Sequence, residues 1–137
     1  MSVTLYIENN RQYVDENCPE QIEEIVYDTP GYDLFIDRRY PFEMNLANGN
    51  FFALWSALDL EADYCGEIHP NLVLGALKRK ASRAASELVR EASASREDGK
   101  CLMIDCGRSE GQVSRYFFRL REIASEALRR GEMLYWA

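Results

Sequence analysis

The sequence predicts an α+β domain in which a small, mostly antiparallel sheet packs against about three helices. Three observations carry this. Short segments in the first third alternate apolar and polar residues with period two. Later segments repeat apolar residues at helical spacing. The strand candidates lie close together with turn residues between them, which suits hairpins better than parallel crossovers.

Val3 to Ile7 alternates and contains β-branched and aromatic residues, so it reads as a strand. Ile22 to Asp28 fits either element. Ile25, Val26 and Tyr27 favour a strand, whereas Pro19 followed by Glu20, Glu23 and Glu24 suits the first turn of a short helix. Thr29-Pro30-Gly31 is a turn signal. Tyr32 to Ile36 and Phe42 to Leu46 are the next strands, forming a hairpin or meander with Arg38, Arg39 and Pro41 between them. Pro41 belongs at an edge or in the connection, because it has no N–H to donate to a ladder. Asn45, Asn48 and Asn50 are read structurally, since asparagine tolerates left-handed backbone and caps helices. Phe51, Leu54, Trp55 and Leu58 then follow at helical spacing, so Asn48 or Asn50 is expected to cap a helix reaching about Leu60.

Glu61 to His69 reads as a polar linker. Pro70 is well placed as a first helical residue, and Val73, Leu77, Ala81, Ala84, Leu88 and Ala92 form the stripe of a helix running to about Ser93. Ser95 to Lys100 is expected to be a loop, and Cys101 to Cys106 a buried strand. Gly107 and Ser109 break that strand, and Ser109 is a candidate N-cap. In the last helix Val113, Tyr116, Phe117, Leu120, Ile123, Ala124, Ala127 and Leu128 share one face. Arg115, Arg119, Glu122, Glu126, Arg129 and Arg130 take the other. Gly131 is suited to end it, and Met133 to Trp136 offers a final strand.

A chain of 137 residues, 47% of them hydrophobic, fits a single domain spanning 1–137 that needs neither metal nor disulfide to build a core. Charge divides it unevenly. Residues 1–69, the β-rich half, hold 14 acidic residues against three arginines, a net of −11; residues 70–137, the helical half, hold 13 basic against nine acidic, a net of +4. The overall −7 disfavours direct nucleic-acid binding. The first ten residues lack the basic and apolar regions of a signal peptide. No apolar run approaches the roughly 20 residues of a membrane span. These features predict a cytoplasmic protein, and its four cysteines are then expected to be reduced.

The chemistry-bearing motifs fail in instructive ways. Cys65, His69, Cys101 and Cys106 offer zinc ligand types, but Cys101 and Cys106 lie five apart on a strand and point to opposite faces. Small buried hydrophobes and a surface histidine fit better. Asp59, Glu61 and Asp63 alternate as in a calcium loop, yet Tyr64 and Pro70 stand where an EF-hand needs Gly and Glu. The turn Cys106-Gly107-Arg108-Ser109 precedes a helix, where a thiolate is stabilised and free amides bind anions. The Cys-x5-Arg spacing of cysteine phosphatases would require arginine at 112, which is Gln112. His69 is the lone histidine, and no Gly-x-Ser-x-Gly or phosphate-binding Gly loop occurs. No catalytic residue, metal or cofactor is therefore assigned. Lys78, Arg79, Lys80 and Arg83 read as a solvated helix face, or as the intramolecular counterpart of the acidic half.

The string Glu43-Met44-Asn45-Leu46-Ala47-Asn48-Gly49-Asn50, its Leu/Trp-rich helix, Tyr64-Cys65-Gly66, the Gly107-Arg108 turn and the closing Trp136 together resemble a family of small bacterial and phage accessory proteins. The resemblance covers about half the chain and carries no activity with it.

The functional expectation is a non-enzymatic protein-binding domain. Glu20, Glu23, Glu24, Asp28, Asp33 and Asp37 would form an acidic surface for a basic protein partner, as in an inhibitor of a host nucleic-acid-handling or defence protein. The alternative is a small enzyme or anion-binding domain built on Cys106, Arg108 and Ser109. Self-association through Tyr116, Phe118, Tyr135 and Trp136 would give a homodimer if those rings are exposed.

Overall fold

A computed structural model describes residues 1–8, 25–27, 34–37, 40–91, 93–97, 101–105 and 107–137, with side chains placed in 1–8, 40–91 and 107–137. The first strand, β1 (Ser2–Tyr6), sets the layering. Val3 and Leu5 are buried while Thr4 and Tyr6 are half-buried on the opposite face. That period of two divides the sheet into an apolar inner side and a polar outer side.

The neighbours of β1 are β4 (Glu43–Ala47) and β8 (Leu134–Trp136), both antiparallel to it. β2 (Ile25–Tyr27) and β3 (Leu34–Asp37) extend the sheet beyond β4, and β5 (Gly66–Ile68) closes the other end. The order is β2-β3-β4-β1-β8-β5, with every pairing antiparallel. β6 (Ser93–Glu97) and β7 (Cys101–Asp105) form a separate two-stranded hairpin. The chain is thus an α+β fold, as its patterning predicts. The two charge halves interleave, because β8 enters between β1 and β5. The backbone of Ala137 exchanges two hydrogen bonds with Thr4, at 2.8 and 3.1 Å, which fixes that insertion.

Three helices cover the inner side: α1 (Asn48–Ala57), α2 (Pro70–Leu88) and α3 (Glu110–Arg130). Phe51, Leu54, Trp55 and Leu58 all face the core, as their spacing requires. Asp59 follows α1 with a left-handed φ of 54°, a conformation that aspartate tolerates better than most residues. The N–H groups of Asp59 and Leu60 donate to the carbonyls of Ser56 and Trp55, the Schellman pattern. A carboxylate beside the carbonyl end of a helix is repelled by the macrodipole. Lys80 and Arg83 of α2 offset this, reaching the Asp59 carboxylate at 2.7 and 2.8 Å. They hold its pKa below the ordinary aspartate value, the Lys80 hydrogen bond contributing most.

α2 opens on His69, whose Nδ1 accepts from the Asn71 N–H at 3.2 Å, with Pro70 as first helical residue. α3 opens on a reciprocal capping box. Ser109 Oγ accepts from the Gln112 N–H while Gln112 Oε1 accepts from the Ser109 N–H. It ends at Gly131 with φ 70°, where a side chain would be strained. Arg129 and Arg130 both pair with Glu126 in its last turns, and their hydrogen bonds lower the Glu126 carboxyl from about 4.5 to about 2. A depressed carboxyl contributes stability above its unfolded value and loses it as pH falls through the folded one. Between pH 4.5 and 2 a Glu126→Gln variant should therefore lose less stability than the parent. The difference in urea midpoints will be small, because Arg129 is 69% exposed and solvent screens the pair. Equal losses in both proteins would show that the pair contributes nothing.

Several expectations are corrected by the coordinates. Asn45 lies inside β4 and donates across the sheet to Thr4 Oγ1 at 2.8 Å. No asparagine among the described residues takes positive φ. Ala47, not Asn48 or Asn50, occupies the N-cap of α1, with no side-chain cap. α1 stops at Ala57 and α2 at Leu88, where Val89 turns extended and Arg90 pairs its backbone with Arg108 at 2.8 and 2.9 Å. The expected linker contains β5, and part of the expected loop at 95–100 belongs to β6. Leu128 is exposed rather than core. Arg119, expected on the solvent face of the last helix, folds inward. Its guanidinium donates to the carbonyls of Pro41 and Glu43, tying α3 to the connection ahead of β4.

Candidate functional site

The outer face of the central strands carries the strongest feature. The register sets Tyr6 of β1 beside Tyr135 of β8 and Tyr135 beside Glu67 of β5. The two tyrosine rings stack with centroids 5.7 Å apart. Alternation places them there: Leu5, Leu134 and Trp136 enter the core, so Tyr6 and Tyr135 must face outward. Both are half-buried, which leaves part of each ring accessible.

Three carboxylates act on Tyr135. Glu8 follows β1, Glu67 sits in β5 and Glu132 precedes β8. Together with partial burial, which acts most strongly, they push the Tyr135 phenol above its ordinary value of 10.0. Negative charge and desolvation both disfavour a phenolate; here partial burial acts first and the carboxylates add to it. Glu8 and Glu67 are exposed. One oxygen of Glu132, Oε2, is buried with no hydrogen-bond partner among the described residues. A carboxylate oxygen in that state lacks a donor. Further along the same face, Ser2, Thr4 and Asn45 form a neutral patch bound by the Asn45 amide.

A cleft of about 580 Å³ adjoins this face at β5. Its floor is Leu58, Ile68, Leu72, Ala76 and Trp136, and its rim carries Asp59, Glu61, Asp63, Glu67, Arg79 and Lys80. Trp136 donates from Nε1 to the Asp63 carbonyl at 2.9 Å and lies flat against Gly66. A Cβ at that glycine would stand 2.4 Å from Trp136 Cζ2, so only glycine lets the indole close on the strand.

The residues singled out from sequence fare differently. Glu20, Glu23, Glu24, Asp28 and Asp33 lie outside the described residues. Asp37 lies in β3, its backbone opposite Ile25. Cys106 also lies outside the described residues. Arg108 is 8% exposed. Its Nε donates to the Leu88 carbonyl at 2.8 Å and its Nη1 to Asn50 Oδ1 at 3.0 Å. It braces the end of α2 against the start of α1, and Ser109 is engaged in its capping box. Arg108 thus directs these donors into the fold, whereas Ser109 is exposed and its Oγ accepts from the Gln112 N–H. Cys65 is exposed and His69 caps α2. Cys101 lies in β7. No group of three metal-ligating side chains converges among the described residues. Lys80 and Arg83 pair with Asp59, the intramolecular role expected for that basic run.

Of the rings expected to form a dimer patch, Tyr116 is fully buried and Trp136 nearly so. Phe118, 62% exposed, and the half-buried Tyr135 remain. Among the described residues no helix is long and apolar enough to cross a membrane.

No family model, curated protein or solved structure matches this chain. The site is therefore read from its own geometry. Tyr6, Glu8, Glu67 and Glu132 escaped the sequence reading, and Tyr135 entered it only as a possible dimer contact, because only the strand order unites them. The available signal was the polar phase of the β1 alternation and the isolated tyrosine between Leu134 and Trp136.

Proposed function

We propose that this chain is a non-enzymatic protein-binding domain that presents an acidic, tyrosine-bearing sheet face to a basic surface on a protein partner. The observation that supports it is the action of Glu8, Glu67 and Glu132 on Tyr135, whose ring stacks on Tyr6 and which lies beside Glu67 in the sheet. Tyrosine is enriched at protein interfaces because it supplies a large contact area with a polar tip. The surrounding carboxylates select for lysine and arginine, which also interact with aromatic faces. A cytoplasmic accessory or inhibitor acting on a nucleic-acid-handling or defence protein would use such a surface, because those partners present cationic faces.

Association steered by this field should weaken with salt. A short lysine–glycine peptide, with little strand propensity of its own, is a suitable probe. Its affinity is expected to fall roughly tenfold from low to physiological ionic strength, and to fall similarly in a Glu8→Gln, Glu132→Gln double variant at low salt. Isothermal titration reads both effects. An affinity indifferent to salt and to the substitutions would end this reading.

A further inference from the structure

We propose that β5 accepts an added strand from a basic, partly apolar segment of the protein partner. This rests on the function proposed above and specifies how that partner docks. β5 ends the sheet, and among the described residues no strand pairs with its outer edge. An edge strand aims alternate N–H and C=O groups outward, a ready template for another chain. β5 has only three residues, so backbone bonds alone would hold a peptide weakly. The adjoining cleft supplies the rest. A strand laid along β5 would send alternate side chains towards Ile68, Leu72 and Trp136 on the cleft floor. Leu72 is 58% exposed there, an apolar surface with space beside it.

Charge identifies the occupant. Lys80 is paired with Asp59, and Arg79, whose guanidinium lies over Gly75 of its own helix, leaves one cation in the lining against three further carboxylates. Glu61, Asp63 and Glu67 line the same cleft and form no ion pair among the described residues. The rim therefore favours lysine or arginine, with one such residue opposite Glu67 on the sheet's outer face. A second copy of this chain fits poorly, since antiparallel pairing of β5 with itself about Glu67 would bring like charges together. The apolar floor and the exposed edge thus suit a partner strand alternating basic and apolar residues.

The test uses the full chain, labelled with ¹⁵N, and a synthetic peptide alternating lysine and valine. The result expected is saturable binding that shifts the amides of Gly66, Glu67 and Ile68. N-methylation of the peptide amides that face β5 should weaken binding by roughly tenfold or more, whereas methylation of the opposite set should not. Equal binding by both methylated peptides, with shifts confined to the surroundings of Tyr135, would overturn strand addition and leave the acidic-face reading standing. No binding of any peptide at low salt would overturn both.

Discussion

Replacing Trp136 with alanine is expected to lower stability by about 4 kcal/mol, the largest effect of any single change considered. The indole is 6% exposed and joins three parts of the fold. Its ring meets Trp55 at 5.5 Å and Phe51 at 6.0 Å, both on α1. Its strand register sets it beside Leu5 of β1 and Gly66 of β5. Its Nε1 donates to the Asp63 carbonyl. Truncation removes a large apolar area and leaves a cavity beneath the cleft, which neighbours held by two strands and a helix can fill only in part. Trp136→Phe keeps most of the packing but loses the hydrogen bond, so it should cost less, about 2 kcal/mol. Urea unfolding of the three proteins checks the order. A loss below about 1 kcal/mol for Trp136→Ala would mean that β8 is not anchored as described.

Arg108→Ala is expected to cost about 3 kcal/mol. The guanidinium is buried, and its interactions include charge-assisted hydrogen bonds to the Leu88 carbonyl and Asn50. Removing it leaves both acceptors without that donor in a poorly solvated place. Lysine should not rescue, because one ammonium cannot reproduce the planar fork that reaches two elements at once. Asn50→Ala removes only one of these bonds and should cost about 1 kcal/mol. The double variant should then lose less than the sum of the singles, since the two residues share an interaction. Additive losses would show that Arg108 and Asn50 act separately. The same experiments bear on the anion-binding alternative. If Arg108→Ala left stability untouched, the side chain would be available for a ligand after all.

Elements that carry their own periodicity were legible. The last helix displays an apolar stripe, a candidate serine cap and a closing glycine, and all but Leu128 of the stripe stand in the structure; the capping box that Gln112 completes went unread. The β1 alternation and the meander of β3 and β4 were legible for the same reason. Elements held only by their partners were not. Gly66-Glu67-Ile68 has no alternation of apolar residues and becomes a strand because β8 lies beside it. Ser93 to Glu97 has low strand propensity and is held against β7. Arg108 and Arg119 look like surface cations in any helical or turn reading. Their inward roles depend on carbonyls brought near by tertiary contact. The candidate site belongs with these. Glu8, Glu67 and Glu132 are widely separated along the chain and meet only because β8 inserts between β1 and β5.

The central physical claim is that these carboxylates act together on Tyr135, the half-buried partner of Tyr6. Titration of the tyrosine side chains by ¹³C NMR tests it most directly. Tyr135 should titrate above 10.0, and its midpoint should drop in Glu67→Gln and Glu132→Gln variants and again when salt is added. A Tyr135 phenol titrating at or below its ordinary value, and unmoved by either substitution, would contradict it.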